Sequence, residues 1–205
     1  MVKEIRVYVE GGGDKKDTKA LVKQGFRAFL NDLFILAEEK RIKFYVIACG
    51  SRNSTLDDFR TALRTHQEAF NILLVDSDAP VTKTPRQHLH NSARNWNLNN
   101  VEDEQCHLMV QVMETWVIAD INALEQFYGK GFNRKIIPKT QNIEEIDKAA
   151  LYSSLEAATR MTQKGRYHKI RHGPEILKRA DVSKVRNAAA HCERFFATLE
   201  EKINE

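Results

Sequence analysis

The sequence predicts an α/β protein: a mainly parallel sheet of about four strands flanked by helices, with a helical C-terminal extension. Three observations predict it. Hydrophobic periodicity switches between two and about 3.6 along residues 5–128, as expected of alternating strands and helices. The run NILLV, Asn71 to Val75, is apolar without alternation, which suits a parallel strand covered on both faces. Acidic residues close two of the strands, Glu10 after IRVYV and Asp76 after NILLV, at the carboxyl ends where open α/β sheets gather functional groups.

The first strand is Ile5 to Val9, which alternates and runs into Glu10 and the turn Gly11-Gly12-Gly13-Asp14. From Asp17 to Lys40 the period changes. Leu21, Val22, Phe26, Phe29, Leu30, Leu33 and Phe34 share one stripe, predicting a single amphipathic helix. KFYVIA, Lys43 to Ala48, predicts the second strand. Ser54-Thr55-Leu56-Asp57 resembles a capping box with Asp in place of Glu, opening a helix with Leu56, Phe59 and Leu63 on one face. The third strand, Asn71 to Val75, ends in Asp76-Ser77-Asp78-Ala79-Pro80. The connection Pro80 to Cys106 carries Lys83, Arg86, His88, His90, Arg94 and Trp96; at this length it is functional, mobile, or holds a short helix. Leu108 to Val112 predicts a fourth strand, with a helix from Glu114 to Tyr128 after it. Beyond residue 130 no strand is predicted. Ile143 to Thr162 and Val182 to Ile203 read as helices, with Gly173-Pro174 opening a short one between them. The expected organisation is an α/β domain over residues 1–130 and a basic helical extension over residues 131–205, packed on it.

Composition narrows the function classes. With 42% hydrophobic and 29% charged residues, the chain carries no signature of disorder. No apolar run approaches the roughly 20 residues of a membrane span, and the N-terminus reads as a strand rather than a signal peptide. A cytoplasmic protein with no membrane partner is expected. Cys49, Cys106 and Cys192 are scattered without a CxxC pair, so buried free thiols in a reducing compartment are expected. The formal charge of +4 is concentrated between Lys130 and Arg179, which permits a polyanionic partner.

The acidic set carries the most chemistry. Residues at i and i+2 of an extended segment point the same way, so Asp76 and Asp78 can face one ion. Glu10 leaves a neighbouring strand at the same edge. Three converging carboxylates repel unless a cation neutralises them, and hard oxygen donors suit Mg2+ or Mn2+. The bland reading has Asp76 and Asp78 capping the next segment and Glu10 pairing with a lysine. Glu114, in QVMETW at Gln111 to Trp116, falls at a strand-to-helix junction. It reads equally as a further ligand, a group that orients water, or a carboxylate complementing the helix dipole. Trp116 reads as core, and Asp120 as facing solvent or pairing with a local cation. The glycine run has no phosphate-loop signature; it either lets backbone approach a phosphate or makes a tight turn.

Gln163 to His172 interleaves basic residues with Tyr167. Arg166, Lys169 and Arg171 are candidate nucleic-acid contacts, and Lys169 also a candidate for stabilising transition-state charge. A solvated loop is the alternative. His88 and His90 lack a third metal partner; His168, His172 and His191 read as phosphate contacts or surface residues.

The layout strand–Glu–Gly-Gly and strand–Asp-x-Asp resembles the Toprim domain of topoisomerases, primases, small ribonucleases and overcoming-lysogenization-defect nucleases. The resemblance implies a Toprim-like (Rossmann-like) fold, Glu10 in acid/base or metal chemistry, and Asp76 and Asp78 as metal ligands. VEGGGD at 9–14, LLVDSDAP at 73–80, QVMETWVIAD at 111–120 and FYG at 127–129 resemble a narrower Toprim-like family. That family sits beside SMC/ABC-type ATPases in bacterial genomes, in settings of phage defence. No second domain supplies a topoisomerase tyrosine, and no CxxC supplies a primase zinc module. The implied function is a metal-dependent nuclease hydrolysing DNA or RNA phosphodiesters, the effector of an anti-phage system working with an ATPase. Its candidate catalytic residues are Glu10, Asp76, Asp78, Glu114 and Lys169. The alternative is a non-catalytic regulatory or interaction subunit of such an ATPase. A homo-oligomer is left open.

Overall fold

A computed structural model describes residues 2–91 and 96–205, so Arg94 of the long connection lies outside the described residues. Strands β1 (Glu4–Glu10), β2 (Lys43–Gly50), β3 (Phe70–Asp76) and β4 (Cys106–Met109) form one sheet in the order β2-β1-β3-β4. Every pairing is parallel, with Val7 opposite both Val46 and Ile72, and Asp76 opposite Met109. All four carboxyl ends therefore open on one edge. That alignment brings Glu10 and Asp76 together.

The two faces of the sheet explain the unbroken apolar run of β3. Ile72 and Leu74, with Val7 and Val9 of β1, belong to one buried cluster. Leu73 and Val75, with Tyr8, belong to a second. The first cluster is completed by α1 (Lys16–Phe29), α2 (Asn31–Glu39), α5 (Met113–Ala119) and the C-terminal helices α8 (Lys169–Leu177) and α10 (Ala190–Asn204). The second is completed by α3 (Arg52–Thr65), by α4 (Pro85–Asn91) through Leu89, and by Trp96 and Leu98. Trp116 lies fully buried at the centre of the first, its ring centroid 5.7 Å from that of Phe29 and 6.3 Å from that of Phe195. Helices after residue 130 thus share the core of the sheet. Packing of α8 on α1 is close enough to require Gly25: a Cβ there would lie 2.7 Å from the Pro174 carbonyl oxygen.

Element boundaries depart from the periodicity in a consistent way. The stripe expected as one helix over 17–40 is two, broken at Leu30, whose φ of −98° and ψ of 16° are not helical. Both halves face the same core, so the apolar period runs through the break. The same holds at Asp120, between α5 and α6 (Ile121–Tyr128), and at Ala189, between α9 (Val182–Ala188) and α10. Helix α3 starts earlier than the Ser54 capping box suggested: Ser51 is the cap, its hydroxyl accepting from the Ser54 N–H at 3.2 Å. The expected helix over 143–162 is a short 3-10 turn, Ile143–Glu145, followed by α7 (Lys148–Thr159), which Asp147 caps. Gly173-Pro174 does not open α8; the helix starts at Lys169 and contains Pro174. Strand β4 ends at Met109, short of the expected Val112. The long connection holds α4, one of the outcomes its length allowed.

The three cysteines are buried and unpaired, as their spacing suggested. Among the described residues no helix is long and apolar enough to cross a membrane.

Candidate active site at the carboxyl edge of the sheet

Glu10 is the last residue of β1 and Asp76 the last of β3. Glu10 Oε2 accepts from the Asp76 backbone N–H at 3.2 Å and from Arg52 Nε at 3.0 Å. Asp76 is 3% exposed. Its Oδ1 accepts from the Met113 N–H at 2.8 Å, at the start of α5, and its Oδ2 from Lys169 Nζ at 3.1 Å. Asp78 follows a different course from the extended one its spacing implied. Its φ of +60° turns the chain. Its N–H donates to the Gln111 carbonyl at 2.8 Å. Its carboxylate engages Lys148 Nζ at 2.7 Å through Oδ1 and Arg52 Nη1 at 2.5 Å through Oδ2.

Glu114, in the first turn of α5, is fully buried. Both of its oxygens are held by hydroxyls from the C-terminal helical region: Tyr167 at 2.9 Å on Oε1 and Tyr152 at 3.0 Å on Oε2. Lys169 Nζ stands 3.8 Å from Oε2, so its ammonium lies between Asp76 and Glu114. Burial, and then the charge of Asp76, push the Glu10 carboxyl above the usual range, while Arg52 opposes the shift. Burial also raises Glu114, with Lys169 opposing. For Lys169, burial works to lower the pKa, but Asp76 and Glu114 outweigh it and hold the ammonium charged.

Beside these groups is a cavity of about 190 Å³, walled by Glu10, Asp76, Lys169, Met113 and the glycine turn. The turn is built rather than slack. Gly12 has φ +87°, and a Cβ there would meet the Thr18 carbonyl oxygen at 2.8 Å and Lys19 Cα at 2.9 Å. The Thr18 hydroxyl donates back to the Gly12 carbonyl.

Glu10, Asp76, Glu114 and Lys169 thus meet at one place, and Asp78 joins them through Arg52. Arg166 and Arg171 are exposed nearby in sequence, but Tyr167 between them is buried on Glu114 rather than presented to a ligand. Three residues of the site, Arg52, Lys148 and Tyr152, are not marked by the sequence, and Tyr167, which the basic segment includes, serves Glu114 instead. Other expectations are narrowed or corrected. Asp120 takes the second of its two expected roles: it is 4% exposed and pairs with a cation, Lys184, 2.7 Å away though distant in sequence. His172 Nδ1 lies 2.8 Å from the Tyr128 hydroxyl, and His191 pairs with Glu144 at 2.8 Å, so neither is a simple surface residue. His88 and His90 bond to the Ser77 and Trp96 carbonyls.

Among the described residues no group of three or more His, Cys, Asp or Glu side chains is arranged to hold a metal ion. A two-carboxylate centre is a different matter. Glu10 and Asp76 are hard oxygen donors at adjoining strand ends, the Glu10 carboxylate bonded to the Asp76 backbone N–H, and both line one cavity. Mg2+ is commonly held by one or two carboxylates, with water and phosphate completing its shell. The residues present fit a divalent cation on those terms.

The architecture and this edge define a parallel α/β protein with a charge-compensated acidic centre at its strand ends. The chain belongs to the family described as "Domain of unknown function (DUF4276)", whose model matches residues 9–200, from the end of β1 into α10. No curated protein and no solved structure matches it.

Proposed function

We propose that the chain is a Mg2+- or Mn2+-dependent nuclease hydrolysing phosphodiester bonds of DNA or RNA. The observation that carries this reading is the meeting of Glu10 and Asp76 at the ends of adjacent parallel strands, with the Lys169 ammonium bonded to Asp76 beside an open cavity. Glu10 and Asp76 would hold the cation. When bound, such an ion polarises a phosphoryl oxygen and lowers the pKa of water. The remaining work falls to the chain's own side chains. Lys169 offers a fixed positive charge where negative charge develops on the phosphate. Glu114, anchored by Tyr152 and Tyr167, holds that ammonium in place. Glu10, at the cavity edge, would serve as ligand of that cation or, in place of that role, as the base for the attacking water. Arg166 and Arg171 supply backbone phosphate contacts. On the same reading the protein is Toprim-like and cytoplasmic, acting with an SMC/ABC-type ATPase in anti-phage defence; the support for these is the set of sequence motifs.

The test is incubation of the purified chain, alone and with its neighbouring gene product, with plasmid, single-stranded DNA and tRNA in Mn2+. Cleavage by the parent and its loss in Asp76→Asn are expected. A second reading, a non-catalytic subunit of the ATPase, draws on one observation: Arg52, Lys148 and Lys169 already neutralise the acids. Stable binding to the ATPase with no cleavage of any substrate would favour it.

A further inference from the structure

Arg52 belongs to none of the sequence motifs, yet it touches all three strand-end acids. Its Nε donates to Glu10 Oε2 at 3.0 Å, its Nη2 to the Asp76 carbonyl at 3.3 Å, and its Nη1 pairs with Asp78 Oδ2 at 2.5 Å. Lys148 takes the other oxygen of Asp78 at 2.7 Å. Both cations stand on the first residue of a capped helix. Arg52 opens α3 after the Ser51 cap, and Lys148 opens α7 after Asp147, whose carboxylate accepts from the Ala149 and Ala150 N–H groups. Their backbones are therefore fixed. A guanidinium is a rigid planar fork, so three acceptors on three of its nitrogens set its position.

In two-metal phosphodiesterases a pair of divalent cations clamps the attacking and leaving oxygens. A second ion here would have to draw on Asp78, whose two oxygens already meet cations, Lys148 on Oδ1 and Arg52 on Oδ2, whereas Glu10 meets Arg52 and the Asp76 N–H through Oε2. We propose that Arg52 and Lys148 supply, at Asp78, the positive charge of a second metal, so the chain binds a single divalent cation, at Glu10 and Asp76. Charge balance agrees. With all groups ionised, Glu10, Asp76, Asp78 and Glu114 against Arg52, Lys148 and Lys169 leave one net negative charge. One divalent ion makes the centre singly positive, matched to the single negative charge of a phosphodiester. Two ions would leave three positive charges crowded in one small site, at a high repulsive cost. Asp78 is then a positioning residue for the two cations rather than a ligand, and its left-handed φ of +60° turns it toward them.

The inference rests on the metal reading of the site, and one experiment separates the two. Mn2+ binding to the full chain, stripped with a chelator, is followed by isothermal calorimetry and by the electron paramagnetic resonance signal of free Mn2+. One ion per chain is expected in the parent. Asp76→Asn should lose it. Asp78→Asn should keep a stoichiometry of one, with affinity lowered by about 10–100-fold, as for a residue acting through others. Arg52→Gln combined with Lys148→Gln should raise the count to two. Two ions in the parent, or loss of the ion in Asp78→Asn as complete as in Asp76→Asn, would overturn the inference and leave the metal reading intact. No binding by the parent would sink both. Should the double variant fail to fold, the parent count and Asp78→Asn decide the matter.

Discussion

Lys169→Met removes the ammonium that lies between two buried acids and keeps most of its aliphatic stem. Asp76 is 3% exposed and Glu114 not at all, so each would lose its cation without gaining water. Removing one partner of a buried pair costs about 3–5 kcal/mol, whereas an exposed pair contributes about 0–1 kcal/mol. The Lys169 side chain is 45% exposed, which places this pair between those limits, at about 2–3 kcal/mol. At this chain length each kcal/mol moves Tm by about 2–4 °C, so a fall of roughly 4–12 °C is expected without metal. The penalty should also depend on pH. Glu114 already has a folded pKa above the ordinary carboxylate value, and Lys169 is what lowers it. A carboxyl whose folded pKa is raised contributes stability below its unfolded pKa and loses it as pH rises through the folded value. Taking Lys169 away raises that value further, so the variant should lose more stability than the parent as pH rises. The difference in Tm should be smaller at pH 5 than at pH 8. Thermal melts in chelator at several pH values read it directly. Equal melts, or a penalty independent of pH, would refute the placing of Lys169 as counterion to the buried pair.

Three further outcomes follow from the same geometry. Tyr167→Phe leaves Glu114 Oε1 buried without its hydroxyl donor and should cost about 1–3 kcal/mol; urea unfolding would show a lower midpoint at an unchanged slope, and Tyr152→Phe, less buried, should cost less. Gly12→Ala, with φ +87° and a Cβ 2.8 Å from a backbone oxygen, should destabilise more than Gly13→Ala, at φ +61° with nothing within 4 Å; comparable midpoints would count against a built turn. Arg166→Ala with Arg171→Ala should reduce the slope of log affinity for nucleic acid against log salt by about 1.4–1.8 and leave Mn2+ affinity unchanged. An unaltered slope would make those arginines solvated surface.

The sheet was legible because its strands announce themselves chemically. IRVYV alternates, NILLV does not, and each runs into an acid; the parallel register then brings those acids together. Helix breaks at Leu30, Asp120 and Ala189 were not legible, because the apolar period that marks a helix continues wherever two helices share one core. The partners of the site's acids show the same limit. Lys148, Tyr152 and Tyr167 reach it only through the packing of the C-terminal helices, and no spacing in the sequence relates them to residue 76 or 114. Arg52 is different. It stands two residues past Gly50, the end of β2, at the same kind of strand end that singled out Glu10 and Asp76. Applying the strand-end rule to basic residues as well as acidic ones would have found it. Asp78 shows why spacing alone misleads. The i, i+2 rule assumes an extended chain, and the positive φ at Asp78 ends that extension.

The central claim is that Glu10 and Asp76 form one divalent-cation centre, and metal-linked stability tests it most directly. An ion that binds only the folded chain stabilises it by about 2.7 kcal/mol at a hundredfold excess over Kd, which at this size is a rise in Tm of roughly 5–11 °C. Thermal melts of the parent and of Asp76→Asn, each in chelator and in Mn2+, supply the comparison. The account expects the parent's Tm to climb with Mn2+ and that of Asp76→Asn to stay where it is in chelator. A parent melt that does not move in millimolar Mn2+, or an equal rise in both proteins, would contradict it.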